Sequence, residues 1–367
     1  MPLSKIQLSE ATGRRNLIIN GAMQLFQRAT AATAAGSGYN TVDRFRGDTS
    51  TDGAFTTEKS TDNPFGTGSS LKAQVTTADT SLAASQYARI FQRIEAQNLQ
   101  HLLYGTSSAK TLTLSFWVKS SKTGIYSITL RKPDNTTYVF THEYTISSAN
   151  TWEKKVITIT PTAGSTSFIT ASAGAIANDN GIGFELSFAL GQGSSYAIGT
   201  SNTWSSNTST YASSNQVNWM DNTSNNFYLT QVQLEVGSLT EFEHRSFAEE
   251  LLLCQRYYWR HAAEAVGVNQ GAGTGALGQW NTTSAYGMMS FPVEMRAKPS
   301  GSYSNLSHFT VYSNGQTRTP SSWVMSTRGD KWGTEHHFDW TSTLSYGGGA
   351  WFRFQSGDGW YAYEAEL

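Results

Sequence analysis

Apolar and polar residues alternate with period two along most of the first two thirds of the chain, the pattern of strands that cover one face. Thr111–Lys119 shows it most clearly, with Leu112, Leu114, Phe116 and Val118 on one face and Trp117 on the other. Comparable runs lie at Val42–Asp48, Phe55–Ser60, Ser70–Thr76, Tyr87–Ile94, Gly124–Leu130, Tyr138–Ile146, Trp152–Ile159, Gly183–Leu190 and Phe227–Val236. A strand-like opening, Arg15–Gln24, is answered by the closing run Phe227–Gly237. Short strands joined by turns at this spacing predict a jelly-roll β-sandwich closed by its first and last strands.

Helical periodicity is brief. Ala96–Gly105 places Leu99, Leu102 and Leu103 on one face with Gly105 just past the end. At Ser246 a capping residue is followed three positions on by Glu249, predicting a helix over 246–260 with Cys254 in its apolar stripe. Beyond His261 the strands shorten and become Gly-spaced, at Met288–Phe291, Ser307–Tyr312, His336–Trp340 and Trp351–Gln355. The expected organisation is all-β. It comprises a polar arm over 1–15 with a helical hint at Leu8–Gly13, a jelly-roll domain over 16–245, a linking helix over 246–260 and a smaller Trp-rich β-domain over 261–367.

Composition narrows the function classes. Charged residues make up 14% of the 367, against the roughly 25% of an ordinary soluble domain. Aromatics reach 13%, enough apolar surface for real cores. The formal net charge is −1, and no Lys or Arg occurs from Val156 to His244, so nothing invites a phosphate backbone and no nucleic-acid partner is expected. No apolar run is long enough to insert in a membrane. The opening Met1–Gln7 lacks a signal-peptide core, and the single Cys254 leaves no disulfide framework, so maturation in a reducing cytoplasm is expected.

Catalytic patterns are missing. The seven histidines form no metal-ligand spacing. His336 and His337 stand beside Glu335 and Asp339, but neighbours on a strand point to opposite faces and cannot share one ion. The acids around the aromatic 191–226 segment are Asp179, Glu185, Asp221 and Glu235, and nothing holds two of them at a glycosidase separation. No enzyme activity, metal or cofactor is expected.

Recognition is better served. The Gly/Ser/Thr/Asn-rich segment 191–226 carries Trp204, Tyr211 and Trp219, with Asn218 and Asp221 beside the last, rings and polar groups suited to stacking on a sugar and bonding its hydroxyls. The same rings could instead pin a long segment onto the sandwich or build a subunit interface. In the C-terminal domain Trp323, Trp332, Tyr346, Trp351 and Trp360 either line an adhesive distal tip or fill a small core.

Several blocks together carry a resemblance. They are Asn16–Gln24, Tyr39–Phe45, Arg93–Leu99, Thr113–Ser120, Gln231–Gly237 and Glu249–Tyr258. In combination they resemble tail-fibre and adhesion proteins of tailed bacteriophages, whose core is similar to a jelly-roll carbohydrate-binding module. The resemblance implies a non-enzymatic virion protein assembled in the host cytoplasm. It would form a homotrimer, dock on other virion proteins through the N-terminal arm and hold its distal domain towards a host surface glycan. Such modules often hold a structural calcium, whereas the matching neighbourhoods here offer Gln24 and Thr230. Two other readings stand beside this one: a structural virion protein such as a head decoration, collar or fibre adaptor with no ligand, and a glycan depolymerase.

Overall fold

A computed structural model describes residues 14–34, 38–197, 200–263, 273–345 and 348–367. The expected arm as far as residue 13, with its helical hint, lies outside the described residues, as does Tyr346. The chain divides into two compact units, one reaching Glu250 and one spanning Leu251–Glu366. Among the described residues no helix is long and apolar enough to cross a membrane.

The strands of the first unit are β1 (Thr33–Ala34), β2 (Arg46–Ser50), β3 (Ala54–Ser60), β4 (Ser70–Thr77), β5 (Tyr87–Glu95), β6 (Leu112–Ser120), β7 (Gly124–Lys132), β8 (Tyr138–Ile146), β9 (Glu153–Ile159), β10 (Ile182–Gln192), β11 (Thr203–Ser205) and β12 (Asn226–Val236). They form two six-stranded antiparallel sheets, ordered β1-β3-β4-β12-β6-β9 and β11-β8-β7-β10-β5-β2. Alternation decides which faces meet: Leu112, Leu114, Phe116 and Val118 of β6 join Phe184, Leu186, Phe188 and Leu190 of β10 in one buried cluster. Phe116 bridges the sheets, edge-on to Phe188 at 5.1 Å and to Tyr144 at 5.2 Å.

Two local expectations change. The strand expected from Val42 begins at Arg46, because Arg44 adopts a left-handed conformation at φ 72° and donates to the carbonyl of Arg93 at 2.6 Å. The short helix is a 3-10 turn over Ala96–Leu102, and Leu103 leaves the buried face by taking the left-handed cap position at φ 54°.

The larger change is at the opening. Arg15–Gln24 is irregular, not a strand, yet it does close on β12. Two main-chain bonds, Leu17 N to Leu234 O at 2.8 Å and Val232 N to Gly21 O at 2.9 Å, are supplemented by side-chain amides. Asn16 donates to the Val232 carbonyl at 3.0 Å and accepts from Leu234 N–H at 3.1 Å and Ile18 N–H at 3.0 Å. Opposite this segment β12 bulges at Gln231, φ 47°. A Cβ on Gly21 would stand 2.2 Å from the Val232 carbonyl oxygen, so only glycine fits the approach. The Glu243 carboxylate accepts N–H bonds from Arg14, Arg15 and Asn16 at 2.8, 3.1 and 2.9 Å, so the last two residues of the expected arm belong to this closure. Burial alone would raise the Glu243 pKa, but these N–H groups and Arg245 hold it below the usual carboxylate range.

Helix α1 (Phe247–Gln255) starts as its capping residue predicts, Glu249 N–H donating to Ser246 Oγ at 3.2 Å. It stops five residues earlier than the expected Arg260. Tyr258–Arg260 become strand instead, since Tyr258 and Trp259 gain ladder partners in Glu364 and Tyr363.

The second unit holds β13 (Tyr258–Ala262), β14 (Gly273–Gln279), β15 (Ser284–Ser290), β16 (Ser300–Tyr303), β17 (Phe309–Ser313), β18 (Gln316–Arg318), β19 (Ser322–Gly329), β20 (Gly333–Asp339), β21 (Gly349–Phe354) and β22 (Trp360–Glu364). A seven-stranded sheet runs β18-β17-β21-β14-β15-β20-β19 and a three-stranded one runs β13-β22-β16. Their shared core is aromatic: Trp323 lies within 5 Å, centroid to centroid, of Tyr303, Phe309, Phe338 and Phe352.

The closure makes a stability prediction. Asn20, fully buried at φ 58°, accepts from Gln24 and Leu25 N–H at 2.9 and 3.0 Å and donates to the Leu25 and Asp43 carbonyls, both at 3.0 Å. Asn20→Ala takes a partner from all four main-chain groups, of which the Leu25 carbonyl keeps Asp43 N–H at 3.0 Å, and is expected to cost about 3 kcal/mol in denaturant unfolding of the full chain. A loss under about 0.5 kcal/mol would show that the knot is not structural.

Candidate functional site

Register disposes of the loop tryptophans. Trp204 sits on β11 opposite Phe140, an inward position, and is 1% exposed. Its indole N–H donates to the Thr160 carbonyl at 2.9 Å, with the Phe140 and Tyr104 rings at 5.6 and 6.3 Å. Trp219 is 0% exposed, edge-on to Phe55 at 5.8 Å and bonded to the Asn226 carbonyl at 3.1 Å. A ring enclosed in the core cannot stack on a sugar, so both are corrected from binding candidates to pins of the 191–226 segment.

The other three candidates are also occupied. Asn218 caps the turn Trp219–Asp221, accepting from Met220 N–H at 3.0 Å, and donates to the Asp79 carbonyl at 2.8 Å. Asp221 pairs with Lys122 and accepts from Asn225 at 2.8 Å. Asp221 borders an open polar depression of about 450 Å³ that it lines with Ser121, Lys122, Thr123, Asn222 and Asn225, without a ring. Tyr211 is half-buried, stacked on Tyr196 at 4.7 Å with the Arg89 guanidinium 4.2 Å from its centroid. These five residues do not converge on one site.

The second unit sorts its rings differently. Trp323, a candidate for a distal tip or for a small core, is corrected from the tip to the aromatic core because its strand position faces Phe338 and Phe352. Trp360 is half-buried with Arg260 4.7 Å from its ring. Trp332 and Trp351 are exposed, each 57%. Trp280, which sequence reasoning passed over, is 71% exposed. Its position just after the Gly-spaced β14 was the available signal.

Trp280 and Trp351 belong to the outer side of the seven-stranded sheet. Leu277 and Ala350 point into the core, which turns Gly278, Gly349, Ala276 and Trp351 outward. One cross-strand row reads Tyr312, Trp351, Ala276, and the next places Gly349 beside Gly278 and Gly278 beside Tyr286. Tyr286 is stacked on His337 at 4.1 Å, and His337 is held by Asp339 at 3.0 Å. Trp280 meets the Tyr286 ring edge-on at 6.0 Å. Arg353 lies 4.3 Å from the Tyr312 ring and 5.8 Å from Trp351, bracing that wall.

The glycines between these rings are not demanded by the fold. A Cβ on Gly349 would meet nothing within 4 Å, and one on Gly278 would meet only the Tyr286 carbonyl oxygen at 3.8 Å. Their absent side chains leave a flat floor. Beside it opens a cavity of about 440 Å³ lined by Gly278, Gln279, Trp280, Tyr286, Arg328 and Glu335. Arg328 and Glu335 are 3.9 Å apart, a loose pair of an exposed guanidinium and a largely covered carboxylate.

Chemistry other than binding finds little here. Among the described residues no three His, Cys, Asp or Glu side chains group as metal ligands. His336 and His337 point to opposite faces as neighbours on β20, His337 to Tyr286 and His336 inward to the Tyr363 hydroxyl.

No family model and no curated protein matches the chain. Solved structures similar to it include the enzymatically active domain of bacteriophage CBA120 tailspike protein 4, at 12% identity and TM-score 0.30 over 60% of this chain and 21% of that one. The chain thus spans about a fifth of that tailspike's length. A family 11 carbohydrate-binding module from Clostridium thermocellum, in complex with a mixed-linked tetrasaccharide, aligns at 13% identity and TM-score 0.29, over 58% of this chain and 99% of the module. The module TmCBM61, in complex with β-1,4-galactotriose, aligns at 12% identity and TM-score 0.29, over 61% and 100%. These alignments are partial, and the sandwich is defined by its own strand order.

Acid should weaken the unit that carries the aromatic face. Burial pushes His336 from its ordinary 6.5 down to about 4. The unfolded chain therefore takes up a proton near pH 6.5 that the folded chain refuses until about pH 4. Stability present above pH 6.5 is lost as pH falls through that window, by up to about 3 kcal/mol. Denaturant melts of wild type and His336→Phe between pH 7.5 and 4 should diverge, the variant lacking this slope; parallel profiles would exclude His336 as the cause.

Proposed function

We propose that this chain is a non-enzymatic glycan-binding protein, and that it serves as a tail-fibre or spike subunit through which a tailed bacteriophage attaches to its host. One observation carries the binding reading: Trp280 and Trp351 stand exposed on the outer face of the seven-stranded sheet around a glycine floor that the backbone does not require. Sugar rings present flat C–H faces to such side chains, and their hydroxyls match Arg328 and Glu335. The lining balances one cation against one anion and the chain is nearly neutral, which suits an uncharged polyol better than a polyanion.

The phage assignment rests on the sequence blocks from Asn16–Gln24 to Glu249–Tyr258. A homotrimer docking on other virion proteins by the N-terminal arm follows from the same resemblance.

Glycan-array screening of the full chain, followed by calorimetry on the best ligand, tests the binding reading. Trp280→Ala and Trp351→Ala should each weaken binding about tenfold, the loss of roughly 1.4 kcal/mol of stacking, with unfolding midpoints unchanged. Undiminished affinity in the double variant moves the site elsewhere. A blank array together with normal adsorption of virions carrying both changes would favour the structural reading, and release of reducing ends from host polysaccharide the depolymerase.

A further inference from the structure

The two exposed indoles of the second unit are set apart by a distance that strand register fixes. Trp351 on β21 pairs with Ala276 on β14, and Gly349 pairs with Gly278. Trp280 comes two residues after Gly278 and four after Ala276, and it shares their outer face because Gln279 between them is buried. Four residues along a strand and one strand across separate the Cα atoms of Trp280 and Trp351 by about 14 Å.

The rings do not close this gap. Trp280 leans towards β15, where it meets the Tyr286 ring edge-on at 6.0 Å. Trp351 has the Arg353 guanidinium 5.8 Å from its centroid, and Arg353 follows it on the same face, on the side away from Gly349. Each ring is therefore engaged on its far side, and the glycines lie between them.

That intervening floor is level and accessible. A Cβ on Gly349 would meet nothing within 4 Å, and neither Gly349 nor Gly278 takes the left-handed conformation that would call for glycine. Gly278 also lines the cavity of about 440 Å³ that it shares with Tyr286, Arg328 and Glu335, so a group resting on the floor has polar partners at its side. One sugar covers one indole. A single ring cannot touch two indoles about 14 Å apart, and a pair of joined rings falls short of the second; roughly three or four in a line span them.

We infer that this face takes an extended stretch of a glycan chain, at least three sugars long and running along β14, with its ends stacked on Trp280 and Trp351 and its middle laid over Gly278 and Gly349. The inference rests on the glycan-binding reading of the same face and deepens it. A terminal sugar held alone would need both rings around one pocket, which the register forbids.

Fragments of one to six sugars, cut from the polysaccharide that scores best on the array and separated by size, test this by calorimetry on the full chain. Affinity should rise about tenfold or more from disaccharide to tetrasaccharide, the range over which the second indole comes within reach. Trp280→Ala and Trp351→Ala should each erase that step, leaving the tetrasaccharide no better bound than the disaccharide. Gly349→Leu fills the middle of the path where nothing stands within 4 Å, so it should keep the wild-type unfolding midpoint and lose the step as well. Equal affinity for disaccharide and tetrasaccharide, with both lost in Trp280→Ala/Trp351→Ala, would overturn the extended path while glycan binding stands. A step that survives in either single tryptophan variant, or in folded Gly349→Leu, would overturn it too. Binding to no glycan on the array would remove the reading beneath it.

Discussion

The first unit depends on tying an irregular opening segment to a central strand more than two hundred residues away in sequence. β12 lies between β4 and β6, in the middle of its sheet, so the sandwich is incomplete until about two thirds of the 367 residues have passed. Closing so long a loop costs only slowly growing entropy, but the contact must be specific. Specificity comes from Asn16, whose side chain stands in for a ladder partner where β12 bulges, and from Asn20 and Glu243, whose side chains hold the opening segment itself in shape. The carboxylate of Glu243 gathers three successive N–H groups, and Arg245 returns to the Asn16 and Ile18 carbonyls, so both polarities of the irregular main chain are answered.

The two units use their aromatic residues in opposite ways. In the sandwich, Trp204 and Trp219 of the long 191–226 segment turn inward and finish the core, while Tyr196 and Tyr211 stack on each other beside Arg89. In the second unit a dense aromatic core around Trp323 is separated by one sheet from a second set of rings that face solvent. The division follows the pleat: Ala350 and Phe352 are inside, so Trp351 must be outside. Glycine and alanine beside it keep that outer face flat, which is what turns separate exposed rings into a continuous platform.

Charge is used sparingly, and one ion-pair network is internal. Arg89 is held between Asp48 and Glu185, and Glu185 also takes Arg93; burial would raise Glu185, but the two guanidiniums hold it below the usual range. Such internally neutralised groups exert little field at a distance.

Alternation along the chain was enough to read an all-β protein, the principal strands of the sandwich and the cap at Ser246, because period two and capping chemistry are local properties. The opening segment Arg15–Gln24 looked like a strand by the same rule. Its real state was decided by Asn16 and Asn20 reaching partners distant in sequence, which no local pattern encodes. Trp204, Trp219 and Trp323 carry the same composition signal as Trp280 and Trp351, an indole among small polar residues. Only strand register decides whether a given ring is sealed or displayed, and register is settled by pairing across strands rather than by neighbours along the chain.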